Sequence, residues 1–485
     1  MALLPAERLA LGRQQRKKMR RVDHAKWDAS KRRVSALKLM EASMRGRVPA
    51  LVELKYQRMA MSPFGFFRGA VPVMAYDLSL LGSTGIVSQL CGDAHVRNLG
   101  AFAGPDGRLV FDINDFDETI RGPFEWDVKR MAASLVLAGR GTGEKDVHCR
   151  EAAQVFVGRY RAAMLEFARM PVLEMARYQV RRLRNTVTVG GLLHLAERAT
   201  PTHTLQQLTE VRQRRGEAAG KRGKRGEKEQ RIFKTEPPVL TRVTGATAKR
   251  VIDSLKPYTA SLLPERRRFL AQYRPVDVAF KVVGTGSVGL RDYCVHMQGN
   301  GARDPLFLQI KEEAESGYAP YLGSAGLARV HQGRRVVEGE RAMQLSSDPF
   351  LGWTTLDGRD YLVRQLNDHK ASINVETLRE AGLIEYAELC GELLARGHAR
   401  GGDCLELAGY LGTSTRFDDA LVQFAEAYAD QTEKDWKELL GWMKKTGRKI
   451  PTAQGTVAKK KRATKKKVAK KKVAGKKVAK KTKKQ

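Results

Sequence analysis

Cysteine is scarce in this chain and forms no pattern: Cys91, Cys149, Cys294, Cys390 and Cys404 are scattered, with no CxxC pair. An odd, unpatterned set argues against a disulfide framework and a zinc signature, and fits a reducing compartment. Long apolar runs are missing too. No window approaches the roughly 20 apolar residues of a spanning helix, and the mean hydropathy is -0.43, so no membrane partner is expected. A secretory signal would place its charges before its apolar stretch; MALLPAERLALGRQQRKKMRR has the reverse order, and a cytoplasmic location is expected. Acid is absent from Lys459 to Lys484, a stretch with sixteen Lys/Arg, and removing those charges from the net +35 still leaves about +19 on the body.

What is present suggests two or three folded units. The 485 residues exceed one compact core, and 42% hydrophobic residues suffice for a globular protein. The tail KKKRATKKKVAKKKVAGKKVAKKTKKQ has no aromatic residue and cannot bury enough surface to offset its ordering entropy. It is expected to be disordered. It would meet nucleic acid or polyphosphate by counterion release, with nucleoid association as a consequence, or else serve only as a solubilising tail. Its composition resembles the lysine-rich tails of linker histones. A second break, Arg212–Lys234, is rich in glycine and charge and reads as an exposed loop. The expected division is 1–39 a basic helical extension, 40–200 a catalytic half and 201–240 a basic flexible loop. It continues with 241–370 a nucleotide-binding lobe, 371–450 C-terminal helices and 451–485 the tail. Helical spacing recurs in Glu151–Met170 and Phe417–Trp442, whose aromatic positions read as core.

Chemistry concentrates in two stretches. In the first, the apolar run Ile86–Leu90 leads into Cys91-Gly92-Asp93-Ala94-His95-Val96-Arg97-Asn98. A Gly-Pro-Asp-Gly turn then separates Leu99–Ala103 from Leu109–Ile113, a hairpin signature, and Asn114-Asp115-Phe116-Asp117 follows. Gly122 to Asp127 opens a helix with Val128, Met131, Ala132 and Leu135 inward. Phosphoryl transfer needs a carboxylate to orient the acceptor hydroxyl and oxygen ligands for magnesium on the phosphates. Asp93 and Asn98 have the spacing of the kinase catalytic loop, and the hairpin would return Asp115 to the same mouth. Cys91 and His95 have no further Cys or His nearby to complete a metal site.

The second stretch begins with the strand-like Val278–Val283 and runs into Gly284-Thr285-Gly286-Ser287-Val288-Gly289. Tyr293–Met297 and Leu306–Lys311 follow as strands. A lone GxGxxG is a weak signal, and before a helix it would point to a dinucleotide fold. Here the glycines lie between strands and a lysine ends the next one, as in a kinase Gly-rich loop. The plain alternative is a meander with a glycine bulge and a surface lysine. On the kinase reading, the loop amides cover the phosphates of ATP and Lys311 grips the α/β oxygens. Glu338, ahead of Glu340, Glu312 and Glu313, is the acid for the lysine, and Tyr361–Leu366 is the strand and hinge for adenine.

Gly-Asp-x-His-x-x-Asn, the hairpin, Asp-Phe-Asp and Gly-Pro…Asp together resemble the active-site half of aminoglycoside and choline kinases. The resemblance implies Asp93 as catalytic base and Asn98 and Asp115 as Mg2+ ligands, with Asp117 a further ligand or a capping residue. It implies that His95 braces the loop and that Asp127 ties the next helix to the loop backbone. Kinases run these blocks in the opposite order, so the implied fold is α+β, two-lobed, kinase-like and circularly permuted, with a mostly helical larger lobe. Residues 40–445 also resemble a bacterial family catalogued as domain of unknown function 2252, through Ser62–Gly69, Leu90–His95, Val337–Gln344, Phe350–Trp353 and Tyr428–Gln431. By that resemblance alone, Arg68 and the Asp368/Lys370 pair are substrate contacts, with a surface salt bridge the alternative for the pair.

The expected function is an ATP- and magnesium-dependent phosphotransferase. The short connection from Asp117 to Gly122 leaves no room for a long activation segment, which favours a small hydroxylated acceptor over a protein. AMP transfer by the same machinery is compatible with the motifs. The competing reading is an inactive kinase-like scaffold that binds polyanions, and retention of Asp93, Asn98, Asp115 and Lys311 weighs against it. A serine hydrolase has no nucleophile-elbow motif behind it.

Overall fold

The computed structural model describes residues 3–180, 187–211, 231–323, 330–366 and 369–451, and the protein is a mixed α+β fold. Residues 452–485 of the expected tail, residues 212–230 of the basic stretch and Asp368 lie outside the described residues. In chain order the described strands are β1 (Val87–Leu90), β2 (Leu99–Ala103), β3 (Leu109–Ile113), β4 (Ile120–Pro123), β5 (Thr209–Val211), β6 (Arg231–Phe233) and β7 (Leu240–Val243). They continue with β8 (Arg274–Lys281), β9 (Asp292–Gln298), β10 (Pro305–Glu312), β11 (Gly352–Leu356), β12 (Arg359–Gln365) and β13 (Ala371–Ser372).

The hairpin β2–β3 forms where its turn signal placed it. Gly107 N–H bonds the Gly104 carbonyl at 2.9 Å, and Gly107 takes a φ of 76°, which glycine allows without strain. β13 joins this hairpin on the β2 side, and β1 pairs antiparallel with β4.

A six-stranded antiparallel sheet carries the second block, in the order β11-β12-β10-β9-β8-β7. Period-2 alternation assigns its faces. Leu306, Leu308 and Ile310 of β10 join Val295, Met297, Tyr361 and Val363 in a core closed by Val251, Leu255 and Tyr258. Phe307 faces the other way, with Cys294, Ala279 and Leu240. Lys311 is in phase with Phe307, on the face turned away from the first core. The helix Gln332–Met343 follows β10 in the chain and packs on β11 and β12.

The largest core belongs to helices. Glu125–Thr142 opens with acids at Glu125 and Asp127, favourable at a helix N-terminus, and ends at Gly143 with φ 84°. Its Val128, Met131, Ala132 and Leu135 are buried against the helices Asp146–Phe167, Ala381–Gly401 and Arg416–Lys445.

Two expectations about organisation need correction. Residues 201–240 are not a loop throughout: Pro201–Leu208 is helical, and β5, β6 and the start of β7 lie within the span. The reason is apolar burial, since Leu205, Phe233 and Leu240 share a core with Ala279 and Phe307. The 1–39 segment is helical over Pro5–Lys18 but lies against the body. Gly12 presses on the Cys404–Leu411 helix so closely that a Cβ would come within 1.9 Å of the Glu406 carbonyl oxygen, and Arg8 pairs with Asp403 at 2.6 Å.

Candidate active site

The segment from Cys91 to Asn98 links β1 to β2 and is held from beneath. Asp127, in the first turn of its helix and fully buried, accepts the Cys91 N–H at 2.8 Å and the Gly92 N–H at 3.0 Å. His398 Nε2 lies 3.3 Å from Asp127 Oδ2, and its Nδ1 meets the Tyr160 hydroxyl at 2.8 Å. Gly92 has φ 82°, and a Cβ there would stand 2.1 Å from the Glu118 carbonyl oxygen, so only glycine fits.

This anchoring presents Asp93 to a cavity of about 500 Å³. One turn beyond Asp127 on the same helix, the buried Arg130 bonds Asp93 Oδ1 through Nε at 2.7 Å and reaches the Phe67 carbonyl at 3.1 Å. On the other side His95 Nε2 lies 3.5 Å from Asp93 Oδ2, while its Nδ1 accepts the Arg97 N–H at 3.2 Å. Burial pushes His95 down to about 3, so at neutral pH it is uncharged, with its proton on Nε2 toward Asp93. Asn98 donates its Nδ2 to the Asp93 carbonyl at 2.8 Å, leaving its side-chain oxygen as an available ligand.

The hairpin delivers the next acids. Asn114 N–H bonds the Asn98 carbonyl at 2.9 Å, Phe116 is buried in the main core, and Asp115 and Asp117 flank it in the cavity. There they meet Lys311 of β10, which is 3% exposed. Its Nζ bonds Asp117 Oδ2 and stands 3.9 Å from Asp115 Oδ1. Burial acts to raise both carboxyls. Lys311 and Arg364 outweigh it at Asp115, held below the usual range, whereas burial and the charge of Asp115 push Asp117 up to about 6. Burial opposes the charge on Lys311, but the two aspartates hold it above its usual value.

Gly284 to Ser287 roof the cavity. Gly284 and Gly289 have φ values of 61° and 93°, the left-handed region glycine makes accessible. The loop carbonyls are clamped by cations from Arg47 to Arg58, far ahead of the loop in the sequence. Arg58 donates to the Gly284 carbonyl, Lys55 to Gly286 at 2.6 Å and Arg47 to Val288 at 2.6 Å, while Val48 N–H bonds Gly289 at 2.7 Å. The amides of Gly284, Thr285, Gly286 and Ser287 make no backbone hydrogen bond among the described residues. The carbonyls of Gly284, Gly286, Val288 and Gly289 are thus engaged, while the amides of Gly284 to Ser287 are left for another acceptor. Gly284, Thr285, Gly286 and Ser287 line the large cavity, whereas Gly289, Lys311 and Asp292 line a smaller depression behind the loop.

Glu338 is not brought to this site. Its side chain is 54% exposed and pairs with Arg334 at 2.6 Å on the open face of its helix. The same helix supplies a cation: Arg335 donates to the Asp117 carbonyl at 2.8 Å and also to the Thr119 carbonyl. Glu340 points inward, with Oε2 buried and unpartnered, and burial raises it to about 7. The acid meeting Lys311 is Asp117, which lines the cavity together with Asp93.

Sequence reasoning missed Arg130, Arg47, Lys55 and Arg58 as parts of the site. Lys55 left a signal: it stands midway between Leu51 and Met59 at i,i+4 spacing on one buried helix stripe. Arg130 left none beyond its spacing of three from Asp127.

The carboxylates fit a magnesium ion through oxygen chemistry. Asp115 Oδ1 and Asp117 Oδ1 are both buried and accept no hydrogen bond among the described residues, and Mg2+ is commonly held by one or two carboxylates plus water and phosphate oxygens. Burial raises Glu313 and Glu340 as well, and they join Asp115 and Asp117 around the cations Lys311 and Arg364. Lys370, on which Arg364 and then burial act, is pushed down to about 7. Among the described residues no set of three or more His, Cys, Asp or Glu side chains forms an all-protein metal cage.

The family described as "Uncharacterized protein conserved in bacteria (DUF2252)" matches residues 47–441, and the chain belongs to it. No curated protein and no solved structure matches the chain. Among the described residues no helix is long and apolar enough to cross a membrane.

Proposed function

We propose that the protein is an ATP- and magnesium-dependent phosphotransferase with a kinase-like, circularly permuted architecture. The observation that carries this reading is convergence. Asp93, Asn98, Asp115, Asp117 and the Gly284–Ser287 loop line one cavity, and Lys311 reaches it through Asp117 although 194 positions separate the two. Strand order supports it. Lys311 lies on the third strand of the β8–β9–β10 run, after the glycine loop and before a helix, where kinases place their phosphate-gripping lysine.

Each residue then has a task. The unspent amides of Gly284 to Ser287 receive phosphate oxygens, and Lys311 adds a point charge. Arg130 and neutral His95 hold the Asp93 carboxylate in one orientation, where it accepts a hydrogen bond from the acceptor hydroxyl and takes its proton as the bond to phosphorus forms. Magnesium, held by Asp115, Asp117 and the Asn98 oxygen, would neutralise charge on the transferring phosphate. The chain enters β4 at Ile120, directly after Glu118 and Thr119, so no peptide-docking segment intervenes and a small acceptor fits better.

The test is thermal stabilisation of the full chain by ATP with magnesium, against Asp117→Asn. Contacts made by the lysine tail are common to both proteins and cancel. A magnesium-dependent shift in the parent that the variant lacks supports the reading; equal shifts, or none, reject it. Following label from the γ- and the α-phosphate of ATP separates phosphoryl from AMP transfer.

A further inference from the structure

A second cavity of about 510 Å³ adjoins the one holding Asp93, sharing Arg68, Gly284 and Thr285 with it. Its volume suits a small molecule. Phe64, Leu137 and Val375 give it apolar walls, and its charge is one-sided: Arg58, Arg68 and Arg97 line it against the single carboxylate of Glu376. Arg58 uses one nitrogen on the Gly284 carbonyl. Arg97 is exposed, and Arg68 has its Nε buried without a partner. Burial and the neighbouring Arg97 push Arg68 down to about 10, which leaves it a cation at neutral pH; Asp93 and Asp115 offset part of that from the other cavity, without contact. A buried guanidinium donor left unpaired is costly, and a bidentate oxyanion satisfies it.

We infer that the acceptor carries an anionic group, a carboxylate or a phosphate ester, seated on Arg58, Arg68 and Arg97 with its hydroxyl reaching Asp93. This rests on the phosphotransferase reading and narrows it. Aminoglycosides and choline, the acceptors of the kinases that the motifs resemble, are cations, and an arginine-lined cavity repels them. Arg68 faces both cavities, so it links the anion of the acceptor to the phosphates under the glycine loop.

The experiment uses the full chain with its nucleotide site filled by a non-hydrolysable ATP analogue and magnesium, and reads binding by calorimetry. Inorganic phosphate and glycerate are the anionic probes, glycerol the neutral control, and choline the cationic one. Phosphate or glycerate should bind while glycerol and choline do not, the better of the two anions indicating which group the acceptor carries. Arg97→Glu and Arg68→Gln should each weaken that binding at least about tenfold, with the affinity of Arg97→Glu for the analogue unchanged. Arg97 is exposed, so its substitution leaves the core intact. Anion binding that survives Arg97→Glu, phosphate that displaces the analogue, or no anion binding would each overturn the inference. If the analogue itself does not bind, the phosphotransferase reading fails and the acceptor assignment with it. An Arg97-dependent anion site on the nucleotide-free chain would then remain as a separate result.

Discussion

Lys311 and Asp117 are joined by a hydrogen bond between Nζ and Oδ2 across 194 positions of chain. The contact ties β10 of the six-stranded sheet to the turn after β3, so the two motif blocks face one cleft whatever their order in the sequence. It also sets the charge logic of the site, because Lys311 lies within 3.9 Å of two half-buried aspartates, each with one carboxylate oxygen that accepts no hydrogen bond among the described residues.

Lys311→Ala should remove nucleotide binding. A ligand at about 100 times its Kd stabilises a protein by about 2.7 kcal/mol, and the variant should show none of that rise in thermal midpoint with ATP and magnesium. A shift equal to the parent's would take Lys311 out of the nucleotide site.

Glu338→Ala should be nearly silent. An exposed i,i+4 pair such as Arg334–Glu338 contributes about 0.3–0.5 kcal/mol, and nucleotide affinity should stay within about twofold. A tenfold loss of affinity would reinstate Glu338 as the partner of Lys311.

Asp127→Ala should cost about 3 kcal/mol in urea denaturation, because it leaves the Cys91 and Gly92 amides buried without their charged acceptor. Asp127→Asn keeps one acceptor and should lose less. A loss below about 1 kcal/mol for the alanine variant would mean that the loop is anchored elsewhere.

Gly92→Ala should destabilise by at least about 2 kcal/mol, since its φ of 82° and the Glu118 carbonyl oxygen 2.1 Å from any Cβ both exclude a side chain. Because the strain sits beside Asp93, ATP consumption should fall even where the variant remains folded. A variant as stable as the parent would contradict the close approach.

His296 provides a pH test away from the site. Buried and stacked on Phe307 with ring centroids 5.0 Å apart, it is pushed down to about 4 by burial. The unfolded state, titrating near 6.5, therefore binds more protons between the two values. Its contribution is fully present above about 6.5 and is lost as pH falls toward about 4, at up to about 1.4 kcal/mol per pH unit. Denaturation midpoints between pH 4 and 7 should fall less steeply in His296→Gln than in the parent; parallel curves would show that His296 does not titrate on unfolding.

Local features were legible because their causes are local. The hairpin around Gly104 to Gly107 and the strands on either side of Gly284 to Gly289 follow from turn chemistry or periodicity within a dozen residues, as does the helix expected to open over Gly122 to Asp127, which starts at Glu125 because Gly122 and Pro123 end β4. The helix predicted from Glu151 begins at Asp146 because the buried stripe reaches back to Cys149, a small residue that weighs little in a periodicity count. β5 and β6 were missed because a glycine- and charge-rich stretch separates two three-residue strands, whose only strong apolar anchor is Phe233.

The sequence by itself determined which chemical groups the site could contain: the Asp93–Asn98 spacing, the paired Asp115 and Asp117, the glycine loop and a lysine at the end of a strand. Only the tertiary structure decided how they pair. Glu338 and Glu340 stand two positions apart on one helix, yet one meets solvent and Arg334 while the other is buried. Arg130 and Lys55 became parts of the site through packing alone. Coulomb and hydrogen-bond energies depend on separations of a few ångströms in space, and spacing along a chain limits those only within a single element.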